Sequence, residues 1–192
     1  MVDPSKFHVL GIVGSPRQGG NTEILVDEIL SGAEKNGAII EKVILNKLNI
    51  NPCQACNSCY KTGKCMHNDD MIELLMKMEH NDLWVLGTPI YWWGPTAQFK
   101  IFLDRWYCPQ HKTFKGKYVI LAIPFEGGHS KYARHTVGIL KDVLNYLSME
   151  LLETILAPGV GNRGAIREKE DIIKKAHNAG QKAIETLKKV KK

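Results

Sequence analysis

The sequence has few of the features that would place it in several large protein classes. No stretch approaches ~18 consecutive apolar residues, so a membrane-spanning helix is excluded. Met1 to Lys6 carry charges but no apolar segment or small-residue cleavage site, and a secretory leader is not expected. A cytoplasmic protein is expected instead, in a reducing compartment where thiols stay free or bind metal. Nothing repeats internally and no Ser/Gly/Pro linker divides the chain, so one domain covering 1–192 is expected. A strongly basic face is lacking as well. The net charge of +6 falls to +2 without Lys188, Lys189, Lys191 and Lys192, which read as a solvated helix end. Nucleic acid is therefore not an expected partner, and neither is a membrane. The remaining composition, 44% hydrophobic and 24% charged, is that of an ordinary folded protein.

Five apolar runs alternate with helical patterns. Phe7 to Val13 is β-branched and apolar and ends in a Gly-Ser-Pro turn. Asn21 or Thr22 is expected to cap the next helix, where Ile24, Leu25, Ile29 and Leu30 recur at helical spacing up to Asn36-Gly37. Ile39 to Leu45 reads as a second strand, and Asn46 to Asn68 breaks all periodicity. Asp69 or Asp70 is expected to cap a helix running through Met78, and Leu83 to Gly87 reads as a third strand. A loop from Pro89 to Pro95 precedes helical spacing from Thr96 to about Tyr107, with Gly94 and Pro95 expected to open that helix. Tyr118 to Pro124 and Met149 to Ala157 are the last strands, with helices over His129 to Leu147 and Glu168 to Val190. The alternation predicts an α/β fold: a doubly wound five-stranded parallel sheet with helices on both faces.

The turn from Gly11 to Thr22 lies where such a sheet binds ligands, outside the carboxyl end of a strand. A phosphate there meets backbone N–H groups and the positive end of a helix. Gly14, Gly19 and Gly20 let the backbone close around it. Ser15 and Thr22 offer hydroxyls, Asn21 an amide and Arg17 a guanidinium. The loop has neither the Gly-Lys-Ser/Thr of a Walker A sequence nor a G-x-G-x-x-G fingerprint.

Gly14-Ser-Pro-Arg-x-x-Gly-Asn-Thr22 resembles the phosphate loop of the NAD(P)H-dependent FMN reductase superfamily, which is flavodoxin-like. Gly87-Thr-Pro-Ile-Tyr-Trp-Trp-Gly94 is similar to that superfamily's isoalloxazine loop, and Lys100, Phe102, Leu103, Asp104 and Arg105 match its K-x-F-x-D-R helix. The resemblance runs from about Phe7 to Leu156. It implies one non-covalent FMN, with Thr88, Pro89, Ile90, Tyr91, Trp92, Trp93 and Gly94 lining the ring. A flat apolar ring with a polar edge needs side chains against its face and backbone groups along that edge, and this loop can supply both. Trp84 is read as core and Trp106 as core or interface, with one of Trp92 and Trp93 placed against flavin or a neighbouring subunit. Glu126 and Gly127, in the loop Pro124-Phe-Glu-Gly-Gly128, read equally well as flavin contacts or as a simple turn.

Cys53, Cys56, Cys59 and Cys65 form C-x2-C-x2-C-x5-C within the irregular stretch at about 50–68. Such density is not explained by packing, and the compartment disfavours a disulfide. Zinc sites usually use two knuckles separated by a longer stretch. Successive x2 spacing is closer to the cluster loops of ferredoxins, with zinc and free thiols still open. Gly63 permits the reversal that returns Cys65, and Cys108 matches no motif. The motif's place after the second strand resembles the iron–sulfur flavoproteins of anaerobic archaea and bacteria, which implies a [4Fe-4S] cluster on these four residues.

The resemblance makes an electron-transfer flavoprotein the expected function, with no obligatory acid–base residue. Ferredoxin or NAD(P)H would be the donor, and oxygen, peroxide or a quinone the acceptor. A modest positive charge suits acidic ferredoxins. A homodimer or homotetramer is implied. Two alternatives stand beside this one: an NAD(P)H-dependent FMN or quinone reductase without a working cluster, and a zinc-stabilised binding module without enzymatic activity.

Overall fold

The structure, a computed structural model, describes residues 6–107 and 109–190. Cys108, Lys191, Lys192 and the first five residues, on which expectations were stated above, lie outside them.

In chain order the strands are β1 (His8–Val13), β2 (Ile39–Ile44), β3 (Leu83–Gly87), β4 (Ile90–Tyr91), β5 (Gly94–Pro95), β6 (Tyr118–Pro124) and β7 (Glu150–Ala157). The helices are α1 (Asn21–Lys35), α2 (Ser58–Thr62), α3 (Met71–His80), α4 (Ala97–Asp104), α5 (Arg134–Tyr146) and α6 (Glu170–Val190). Five strands pair in parallel in the order β2-β1-β3-β6-β7, while β4 and β5 form a separate antiparallel hairpin. This is the doubly wound parallel sheet that the alternating pattern predicts, in the flavodoxin-like form that the resemblance implies. After β2 the chain crosses back to the other side of β1, so strand order reverses between β1 and β3, and a crevice opens at their carboxyl ends.

The central strands are apolar throughout because both faces are covered. Along β3, Leu83 and Val85 join one core with α1 and α6, whereas Trp84 and Leu86 join the other with α3, α4 and α5. The edge strand β2 is only half buried, with Ile39 exposed. In the second core the Trp84 ring meets Phe114 at 4.8 Å and Trp106 at 5.7 Å, edge to face. Trp84 and Trp106 are thus core residues.

Helices α1 and α6 touch backbone to backbone. A methyl carbon on Gly32 would lie 1.9 Å from the His177 carbonyl oxygen, and one on Gly180 would lie 2.0 Å from that of Ile29. No side chain fits at either position.

Several expected boundaries are corrected. Gly20, not Asn21 or Thr22, is the N-cap of α1. The irregular cysteine stretch contains the one-turn helix α2, too short to leave a periodic signature. Gly94 and Pro95 do not open a helix. They form β5, and Thr96 caps α4 by accepting the Phe99 N–H at 3.3 Å. The segment from His129 begins with a 3-10 turn over Ser130–Ala133, and Glu168 closes another at Ala165–Glu168 before α6.

Candidate functional site

A cleft of about 160 Å³ lies at the carboxyl ends of β1, β3 and β6, lined in part by Ser15, Thr22, Pro89, Tyr91, Glu126 and Gly161. Its floor comes from the turn between β1 and α1. The Gly14 N–H donates to the Gly87 carbonyl oxygen at 2.7 Å, which ties this turn to the end of β3. The Gly20 N–H donates to the Arg17 carbonyl oxygen at 3.1 Å. A side chain at Gly20 would begin 2.8 Å from that same oxygen, so the turn closes this tightly only with glycine.

Ser15 and Thr22 are buried polar residues at this floor. Helix α1 starts without a side-chain cap, so its first-turn N–H groups and its positive end are left to whatever enters the cleft. A dianionic group fits those features. The Gly19 N–H is not available to it, because it donates to Glu23 Oε2 at 2.7 Å. Lys42 pairs with Glu23 at 2.9 Å and with Asp27 at 2.8 Å. Burial alone would raise the Glu23 pKa, but Lys42 and the Gly19 N–H hold it below the usual value.

The far wall was not foreseen from sequence. It is the turn after β7, 158–164, locked onto the floor by Asn21 and Arg17. Asn21 Nδ2 donates to the carbonyl oxygens of Val160 and Asn162, both at 2.8 Å, and its Oδ1 accepts the Ile166 N–H at 3.1 Å. Arg17 Nη1 donates to the Gly161 carbonyl oxygen at 3.0 Å. The amide of Asn21 is therefore committed to the wall, and Arg17 reaches it as well. These contacts span more than a hundred residues and leave no local trace in the sequence.

The rim carries the aromatic residues. Thr88 is buried and structural: its N–H donates to Ala122 O at 3.1 Å, and its hydroxyl accepts the Thr96 N–H at 3.2 Å. Beyond it, β4 and β5 are joined by Trp92 and Trp93 alone, at φ of 50° and 62°. A two-residue hairpin of this kind demands φ > 0 at both positions, normally met by Asn-Gly. Bulky side chains there are strained, at roughly 1–2 kcal/mol each. Trp92 is 91% exposed and Trp93 48%. Their rings are tilted at 42° with centroids 6.2 Å apart. The tip is held by Thr136 of α5, whose hydroxyl donates to the Trp93 carbonyl oxygen at 2.8 Å. The loop after β6 contributes Glu126 to the lining, and the Gly127 carbonyl oxygen accepts the Gly159 N–H at 3.1 Å.

The cysteine stretch lies at the surface, with Cys53 and Cys56 exposed and Cys59 and Cys65 partly buried. Ala55 and Asn57, on either side of Cys56, are left-handed, and Asn57 leads into the helical Ser58. A left-handed residue followed by a right-handed one turns successive N–H groups inward, a backbone form suited to anionic sulfur. Gly63 makes the expected reversal at φ 75°, with its N–H donating to the Cys59 carbonyl oxygen at 2.9 Å. Among the described residues, no three Cys, His, Asp or Glu side chains converge on a common point. The fit to a soft metal centre lies in the donor set of four thiols, not in gathered geometry.

Both ends of the stretch are fastened by one carboxylate that sequence reasoning treated only as a helix cap. Asp69 Oδ2 accepts the Asn51 N–H at 2.9 Å, and Oδ1 accepts the Met71 N–H at 3.2 Å. Asp69 also pairs with Arg105 at 2.6 Å. Burial would raise the Asp69 pKa. The Arg105 guanidinium and these N–H donors outweigh it and hold the carboxyl at about 2.

The family model described as NADPH-dependent FMN reductase matches residues 7–162. An iron–sulfur flavoprotein of Archaeoglobus fulgidus is 34% identical over 184 residues, covering 93% of this chain and 79% of that protein. An iron–sulfur flavoprotein of Methanocaldococcus jannaschii is 33% identical over 192 residues, covering 96% of this chain and 99% of that protein. Among solved structures, a flavone reductase superposes with a TM-score of 0.76 at 20% identity, over 96% of this chain and 64% of that one. The structural likeness is one of fold.

Proposed function

This chain belongs to the NADPH-dependent FMN reductase family and is a flavin-dependent oxidoreductase, and on that premise we propose that it is an electron-transfer flavoprotein holding FMN and a [4Fe-4S] cluster. When bound, FMN exchanges electrons singly or as a hydride and the cluster exchanges them one at a time, which suits traffic between one- and two-electron partners.

The observation that carries the reading is the strained, solvent-facing Trp92-Trp93 turn beside a cleft with an uncapped helix end. Natural chains keep such strain where it serves a site. Ser15, Thr22 and the first N–H groups of α1 would receive the phosphate, and Gly20 keeps the backbone close to it. The cleft takes the phosphate and its chain, while the larger tricyclic head lies along the rim. Tyr91, Trp92, Trp93 and Gly94 then offer ring faces and backbone groups to it, with Pro89 and Ile90 beneath. Glu126 and Gly127 border the opposite edge. Arg17 and Asn21 act by holding the far wall in place. Cys53, Cys56, Cys59 and Cys65 would ligate the cluster, and relatives named iron–sulfur flavoproteins along nearly the whole chain support that assignment. Ferredoxin is the proposed donor, and oxygen, peroxide or a quinone the acceptor.

A second reading, direct reduction by NAD(P)H, is favoured by the family's description and by the exposed face of Trp92, which leaves the rim open to a nicotinamide. Anaerobic mixing separates the two. Bleaching of the flavin band by reduced ferredoxin but not by NADPH is expected, together with about four irons and one FMN per chain. Rapid bleaching by NADPH in iron-free protein would overturn the carrier reading.

A further inference from the structure

The side chain of Arg105 is 3% exposed and that of Asp69 is 0% exposed. Withdrawing such a pair from water is costly, and well-packed apolar residues often serve stability as well. The position of the pair gives it a further use. Arg105 Nη1 donates to Asp69 Oδ2 at 2.6 Å and to the Asn51 carbonyl oxygen at 2.8 Å. Nη2 donates to Asp69 Oδ1 at 3.1 Å and to Cys65 Sγ at 3.4 Å. The planar fork meets both carboxylate oxygens and still has a hydrogen for sulfur, which a lysine ammonium cannot reproduce.

Arg105 is also the C-cap of α4. At the other end of that eight-residue helix, the Thr96 hydroxyl donates to the Gly14 carbonyl oxygen and the Thr96 N–H donates to Thr88 Oγ1. One rigid helix, about 12 Å long, therefore joins the phosphate and aromatic loops to the last cysteine.

We propose that Arg105 is a positioning residue for the cysteine centre: it fixes Cys65 by a charge-assisted hydrogen bond to sulfur and sets the cysteine stretch against the cleft through α4. The proposal rests on the [4Fe-4S] reading above. A donor to a ligand sulfur stabilises the more negative, reduced centre and so raises its reduction potential.

The test uses anaerobically prepared full-length protein, as wild type, Arg105→Lys and Arg105→Gln. Iron, sulfide and FMN per chain are measured, with the rate of iron loss to a chelator and the midpoint potential by EPR-monitored potentiometry. Arg105→Lys keeps the charge beside Asp69 but loses the fork. We expect wild-type FMN content, iron loss about 10-fold faster, and a lower potential. Arg105→Gln should move further the same way. Should it fail to fold, Arg105→Lys carries the test alone. If wild type holds about four irons and Arg105→Lys matches it in rate and potential, the role of Arg105 is overturned and the cluster reading stands. Equal iron loss in both variants with an unchanged potential makes Arg105 a mere strut and also overturns it. A wild type that takes up no iron overturns both.

Discussion

Replacing Trp92 with asparagine should make the flavin-free protein more stable and the flavin complex weaker. Trp92 sits at φ 50° with 91% of its surface in solvent. Asparagine tolerates the left-handed region through its short polar side chain, so most of the roughly 1–2 kcal/mol of strain is released. Little is lost in return. The indole buries so small a share of its surface that the hydrophobic loss is about 0.5 kcal/mol at ~25 cal/mol per Å². A net gain of about 0.5–1.5 kcal/mol should appear as a higher urea midpoint with an unchanged slope. Losing a stacking face should cost about 1–2 kcal/mol of FMN affinity, a rise in Kd of about 5- to 30-fold by fluorescence titration. Trp92→Phe keeps an aromatic face and the strain, so both quantities should stay near wild type. A destabilised flavin-free Trp92→Asn protein, or one with an unchanged Kd for FMN, would refute the reasoning that the turn is strained to present a ring to the flavin.

Gly180→Ala should lose about 3 kcal/mol of stability or more, read as a lower urea midpoint, since its added carbon falls 2.0 Å from the Ile29 oxygen and two helices must part. Lys42→Ala should weaken FMN binding by about 1 kcal/mol, roughly fivefold, while leaving riboflavin binding alone, because it leaves Glu23 and Asp27 uncompensated beside the phosphate turn. Asp69 has a folded pKa of about 2, below its ordinary 3.8, so its contribution is complete above about pH 4 and fades as pH falls toward 2. Asp69→Asn should flatten that part of the acid-stability curve, and at neutral pH it should cost about 3–5 kcal/mol by stranding Arg105.

The strands were legible because central strands covered on both faces are apolar without interruption, as in Leu83–Gly87. The turn that floors the cleft was legible because its residues lie in one short segment between a strand and a helix. The Trp92-Trp93 hairpin was not, because its residues contradict the turn chemistry that sequence rules look for, and the contradiction itself was the signal. Asn21 looked like a cap because amides often cap helices, yet its partners lie at 160–166, out of reach of any local pattern. Asp69 and Arg105 each belonged to a plausible local motif, and nothing in either motif announces that they meet.

The order in which a ribosome delivers these pieces matters. The turn at 158–164 that walls the cleft, and helix α6, whose Gly180 sits against the Ile29 carbonyl oxygen, are synthesised long after the turn and helix they pack against. A nascent chain stopped short of them has a cleft floor with no far side and a first helix held by the sheet alone, bare on the face that α6 covers. Flavin capture is therefore expected only once both have been made, and chains truncated before residue 158 should emerge colourless.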